Sequence, residues 1–170
     1  MNLNSLFARA VAAHRDAPAV ALGERILYTY GGFDLRVKRL AASLRQASGG
    51  GSGERVVLVM KNSPQYVELQ LATWYAGLCA VPVNSKLHPL ELKYILRDSG
   101  AKVCVSYGDL MADLEAVAGR IAGLELIDAD SARYAQMVGA PRLTRGRWAM
   151  TSLPGSSTPA EPPAGPRGSC

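Results

Sequence analysis

The sequence predicts an α/β fold, a partial doubly wound parallel sheet with flanking helices that leads into a disordered tail. Three observations carry that expectation. Apolar, β-branched runs recur along the chain as RVVLVM (55–60), LCAVPV (78–83), AKVCVS (101–106) and LELIDA (124–129). Each gap between them holds a stretch with helical spacing and its own start or stop signal. Beyond residue ~140 all periodicity gives out.

The elements follow in order. Leu3, Phe7, Ala10, Val11 and His14 recur at helical spacing over 3–15, with Asn4 or Ser5 as the cap and Pro18 as the stop. AVALGERILYTY reads as two short strands, Ala19–Leu22 and Arg25–Tyr30, joined at Gly23-Glu24. In FDLRVKRLAASLRQA, Phe33, Val37, Leu40, Ala41 and Leu44 form one stripe, with Arg36, Lys38, Arg39 and Arg45 opposite, so this is an amphipathic helix on a core. SGGGSGE (48–54) is a glycine-rich turn without the Gly-Lys-Ser/Thr ending of a Walker loop.

RVVLVM is nearly continuous in apolar residues, as in a strand buried on both faces of a parallel sheet. Asn62-Ser63-Pro64 opens a helix that runs to about Ala76, and Gly77 ends it. After strand 78–83, His88-Pro89 opens LELKYILRDS, which Gly100 stops; strand 101–106, helix GDLMADLEAVAGRI and strand 124–129 complete the alternation. Strand-helix alternation of this kind requires right-handed crossovers and gives a doubly wound sheet.

Bulk properties exclude several functions. The net charge of +5 is unevenly spread: Arg142, Arg145, Arg147 and Arg167 against Glu161 leave +3 on the tail and +2 on everything before it. No basic stripe with interleaved aromatics exists, so no nucleic-acid partner is expected. Cys79, Cys104 and Cys170 are too few and too separated for a disulfide framework or zinc site, and His14 and His88 cannot complete a metal cluster. The amino terminus lacks a secretory pattern, and the longest apolar stretch, Trp74 to Val83, is far short of the ~20 residues of a membrane span. A reduced, cytoplasmic protein with no membrane span is expected.

Within residues 55–106, the stretch VVLVMKNSPQYVELQLATWYAGLCAVPVNSKLHPLELKYILRDSGAKVCVS resembles the amino-terminal subdomain of ATP-dependent acyl-CoA synthetases of the AMP-binding, adenylate-forming ligase family. NSPQYVE, AGLCAVPVN, HPLELKYIL and DSGAKV carry the resemblance in that order, and YTYGGFDLRVKRLAASL upstream is similar to the same family's strand-then-helix entry. The resemblance covers roughly 3–138. It implies a truncated amino-terminal subdomain over 1–138 and a low-complexity tail over 139–170.

It also implies an intact enzyme that activates a small-molecule carboxylic acid with ATP and Mg²⁺ and passes the acyl group to CoA. For this chain alone the expectation is no catalytic, cofactor-binding or metal residue, and no ATP, Mg²⁺ or CoA bound. Asn62, Ser63 and Pro64 read as capping residues, Pro82 and Asn84 as a strand end, and Ser99-Gly100 as a helix stop. A cut-off sheet with an unpaired edge is expected to be marginally stable and prone to aggregate.

The tail, GAPRLTRGRWAMTSLPGSSTPAEPPAGPRGSC, carries a further signal. The family's phosphate-binding loop, of the form YTSGTTGRPKG, belongs here and no such string occurs. If each codon is read one base earlier, Gly155 through Cys170 become triplets compatible, letter for letter, with WLFYTSGTTGRPKGVM. A frameshift entering between about Val138 and Trp148 is therefore expected. The competing readings are a non-catalytic α/β interaction module tethered by a basic disordered tail, and a small nucleotide-binding protein, which lacks any Gly-x-Gly-x-x-Gly opening a helix.

Overall fold

The structure is a computed structural model and describes residues 3–119 and 121–140. The elements are α1 (Leu3–Ala13), β1 (Pro18–Leu22), β2 (Arg25–Thr29), α2 (Tyr30–Ala47), β3 (Arg55–Val59), α3 (Pro64–Tyr75), β4 (Cys79–Val83), α4 (Pro89–Asp98), β5 (Val103–Ser106), α5 (Leu110–Ala118), β6 (Glu125–Asp128) and α6 (Ala132–Gly139). The strands β4-β3-β5-β6 form a parallel sheet in that order, while β1 and β2 pair antiparallel as a separate ribbon.

The pattern of strands buried on both faces is realised most fully in β3 and β5. Val56, Val57, Leu58 and Val59 are inaccessible to solvent, as are Val103, Cys104 and Val105. Successive strand residues point to opposite faces. Val56, Leu58, Val103 and Val105 accordingly pack with Phe33, Leu40 and Leu44 of α2, Leu69 and Ala72 of α3, and Tyr134 and Met137 of α6. Val57, Val59 and Cys104 pack with Leu92 and Leu96 of α4 and Leu114 and Val117 of α5. The sheet is doubly wound, with α2, α3 and α6 on one side and α4 and α5 on the other.

Local signals place the helix ends. Ser63 accepts from the Tyr66 amide at 3.1 Å and Pro64 occupies the first turn, so α3 starts where the NSP motif predicts. His88 and Glu91 form a reciprocal capping box at the start of α4. Gly77 and Gly100, at φ 75° and 58°, make the left-handed turns out of α3 and α4.

Several elements differ from expectation. The first helix ends at Ala13, and Asn4 lies inside it, buried. Pro18 begins β1 rather than stopping α1. α2 begins at Tyr30 because Thr29 caps it, its side chain accepting from the Gly32 amide at 3.3 Å. Gly31 sits so close to Arg15 that an added Cβ would lie 2.9 Å from its Cγ. α5 is shorter than its motif, ending at Ala118, and Pro82 lies within β4 rather than ending it. Helix α6 was not anticipated. Ser131 caps it, accepting from the Tyr134 amide at 3.2 Å. From residue 141 onward the tail expectation lies outside the described residues.

Candidate functional site

In an open α/β sheet, ligands lie outside the carboxyl ends of the strands, near the point where strand order reverses. Here β3 connects to β4 on one side and the chain then returns to β5 on the other, so the reversal falls between β3 and β5. That crevice is sealed at its base: the buried Ser106 hydroxyl donates to the Val59 carbonyl at 2.7 Å, tying the two strand ends together.

Two clefts flank it. The first, of about 370 Å³, lies at the carboxyl ends of β3 and β4 and is lined by Met60, Lys61, Asn62, Tyr66, Pro82, Val83, Asn84 and Ser85. Asn84 is occupied locally, its side-chain oxygen accepting from the Lys86 amide at 3.0 Å in a turn. The second, of about 520 Å³, opens between the β1–β2 ribbon and the α3/α6 helices. Its walls include Leu22, Leu27, Tyr28, Arg36, Gln65, Glu68, Ser131 and Tyr134.

The second cleft contains the principal electrostatic feature among the described residues. Glu68, 1% exposed, accepts from Arg36 Nε at 2.5 Å and Nη2 at 3.1 Å, and from the Tyr134 hydroxyl at 3.1 Å. The Arg36 guanidinium also lies 4.6 Å from the centre of the Tyr28 ring. Burial alone would lower the Arg36 pKa, but the hydrogen bond and charge of Glu68 raise it overall. Tyr134 is pushed well above the ordinary phenol value, first by burial and then by the Glu68 charge, so it stays a donor. Burial likewise pushes the Cys104 thiol up to about 12, leaving it unreactive under the sheet.

Chemically the cluster is a clasp. Its acid, base and phenol satisfy one another across α2, α3 and α6, with none arranged as a nucleophile beside a base. The sequence reading placed Arg36 on a polar face opposite the α2 core stripe and did not single out Glu68 or Tyr134. The available signal was a lone acid within the apolar row of α3, beside Leu69 and Ala72; its partners lie 32 residues earlier and 66 residues later. The motif residues occupy structural positions: Ser63 caps α3, Asn62 lines a cleft rim, and Ser99 is the C-cap of α4.

The profile of the family described as AMP-binding enzyme matches residues 7–164. The chain belongs to that family. Among relatives in the AMP-binding family, a long-chain-fatty-acid–CoA ligase of Escherichia coli O157:H7 is 35% identical over 122 residues, 71% of this chain and 21% of the relative. A 3-hydroxybenzoate–CoA ligase of Aromatoleum sp. (strain CIB) is 32% identical over 107 residues, 63% of this chain and 20% of that protein. The chain thus spans about a fifth of the length of the curated relatives it matches. A benzoate CoA ligase from Burkholderia xenovorans LB400 shares the fold at TM-score 0.75 and 24% identity, over 88% of this chain and 30% of that structure. A Mycobacterium tuberculosis fatty acyl CoA synthetase superposes at TM-score 0.73 with 25% identity, over 83% and 28%. Among the described residues no helix is long and apolar enough to cross a membrane.

Proposed function

We propose that this chain is a scaffold piece of an ATP-dependent acyl-CoA synthetase, catalytically silent because its phosphate-binding loop has moved into the neighbouring reading frame. In the intact enzyme a carboxylate oxygen attacks the α-phosphorus of ATP. The C–O–P bond of an acyl-adenylate forms as pyrophosphate leaves; the CoA thiol, losing its proton, then attacks the acyl carbon and AMP departs. Such chemistry depends on positioning and charge stabilisation. Glycines that admit backbone N–H groups to phosphate oxygens, hydroxyl donors and a lysine would supply both.

Among the described residues no group of three His, Cys, Asp or Glu could hold a metal ion. No step is therefore assigned to the metal here. The substrates of the intact enzyme are a carboxylic acid, ATP and CoA, and its compartment is the cytoplasm.

One observation carries the reading: sixteen consecutive tail codons, Gly155 to Cys170, can spell WLFYTSGTTGRPKGVM one base earlier. The family match over residues 7–164 supports the synthetase part of the reading.

The gene sequence tests it base by base. The loop requires TCT at Ser157, ACA at Thr158, GAA at Glu161 and AGG at Arg167, and the neighbouring frame should stay open for several hundred bases past codon 170. Any other codon at these four positions removes the loop, and an in-frame, unshifted gene favours the interaction module instead. The chain itself, given ATP, Mg²⁺, CoA and a range of acids, should form no thioester; turnover would sink the proposal.

A further inference from the structure

The cap of α4 differs in chemistry from those of the other capped helices. Thr29, Ser63 and Ser131 cap α2, α3 and α6 through hydroxyl oxygens, which accept hydrogen bonds across the physiological pH range. Helix α4 is capped by an imidazole. The Leu90 amide donates to His88 Nδ1 at 3.3 Å, and the His88 amide donates to Glu91 Oε2 at 2.9 Å. A ring nitrogen accepts only through its lone pair, so this cap requires a neutral imidazole with its proton on Nε2.

Protonation undoes the cap in two ways. Nδ1–H would face the Leu90 N–H, donor against donor, and the imidazolium would sit at the positive end of the helix dipole. The Glu91 carboxylate opposes this by attracting the cation. That attraction is a single solvent-screened pair, and the carboxylate already accepts from the backbone.

The other charged groups on adjoining segments are Lys61 after β3, Lys86 before the cap, Asp109 at the start of α5, and Asp113 and Glu115 within it. Among the described residues none of them forms an ion pair with His88. Cys104 of β5 is buried in the same apolar cluster as Leu92, and Arg55 and Cys79 stand at the amino ends of β3 and β4, away from the cap. The ionisable groups farther along α4 begin at Lys93, beyond its first turn.

The turn before the cap forms one rim of the smaller cleft, through Asn84 and Ser85. Within it the Lys86 amide donates to the Asn84 side chain at 3.0 Å and the Leu87 amide to the Asn84 carbonyl at 3.2 Å. His88 sets where this turn meets the helix.

We propose that His88 is a pH-sensitive fastener of the cleft rim. Neutral, it closes the α4 cap and fixes the 84–88 turn; protonated, it opens the first turn of α4 and frees that rim. Order in the segment is therefore complete at pH 8 and is lost as pH falls to 5, the range in which imidazoles take up a proton.

NMR of this chain between pH 8 and pH 5 tests the proposal. It reads the His88 ring nitrogens and the solvent exchange of the Leu90 amide, relative to an unstructured peptide at the same pH. At pH 8 the ring proton should sit on Nε2. Leu90 protection should fall about fivefold by pH 5, the equilibrium change of a lost cap. His88→Asn supplies a side-chain oxygen that does not titrate, so its protection should stay within about twofold across the range. His14→Asn should leave the fall intact. A proton on Nδ1 at pH 8, unchanged protection in the parent chain, an equal fall in His88→Asn, or a fall abolished by His14→Asn overturns the proposal.

Discussion

The two helical layers on this sheet are built differently. In α2, eighteen residues long, only Gly32 and Gln46 are exposed, and in α3 only Val67 is. The sheet lies beneath this layer, and the β1–β2 ribbon lies above it, with Tyr28 of β2 stacked on Phe33 of α2 at 6.0 Å between ring centres. The Arg36–Glu68–Tyr134 clasp fastens its three helices together. Among the described residues the α4/α5 layer is covered on one side only, and α4 turns Leu90 and Tyr94, 69% and 67% exposed, to solvent. Beneath the ribbon the buried Glu68 carboxylate must pair, while α6 keeps a solvated face with Arg133 exposed; the outer layer needs only an apolar stripe.

The comparison can be broken most directly in the core. Leu40→Ala in α2 should cost about 3–5 kcal/mol, because both sides of the helix are held and the cavity cannot collapse. Leu96→Ala in α4 should cost about 2–3 kcal/mol, since that helix can settle inward from solvent. Urea titration of each variant measures the difference, and equal losses would refute the distinction between the layers.

Next in size is the clasp. Glu68→Gln should destabilise by about 1–3 kcal/mol, discounted from the full cost of a buried pair because Arg36 retains 28% side-chain exposure. Tyr134→Phe should cost about 1 kcal/mol. In a double-mutant cycle the two should be non-additive; simple additivity would mean that the three groups do not act as a unit.

Alkaline pH sharpens the contrast further. The folded-state pKa values of Tyr134 and Cys104 both lie above their ordinary values. Each therefore contributes stability that is complete below its unfolded value and is lost as pH rises. For Cys104 the window runs from the ordinary 9.0 up to about 12, and for Tyr134 it opens near 10. Melting temperature followed from pH 8 to 11 should fall, with Tyr134→Phe removing the share of the enclosed layer and Cys104→Ala that of the other. A flat profile in the parent chain would contradict both shifts.

The smallest effect is expected on the outer surface. Tyr94→Ser should change stability by less than about 0.5 kcal/mol. A larger loss in thermal denaturation would mean that α4 is covered in solution.

Much of this architecture could be read along the chain. The apolar runs at 55–60 and 101–106, the Ser63-Pro64 and His88-Pro89 starts, and Gly77 and Gly100 as stops are local signals, each decided by neighbours within about four residues. α6 escaped notice because ARYAQMVG is short and half polar. Its Tyr134 is buried by contact with α3, and its Ser43–Met137 hydrogen bond, at 3.2 Å, spans 94 residues.

What the sequence determined by itself is the alternation of elements, their caps and, through the ordered motifs, the family, because all of these depend on near neighbours or on linear order. Tertiary structure alone decided that Arg36 is the ionic partner of a buried carboxylate rather than a solvated charge, and that β1 and β2 stand apart from the main sheet. Those outcomes depend on which residues, distant in the chain, the folded backbone brings together.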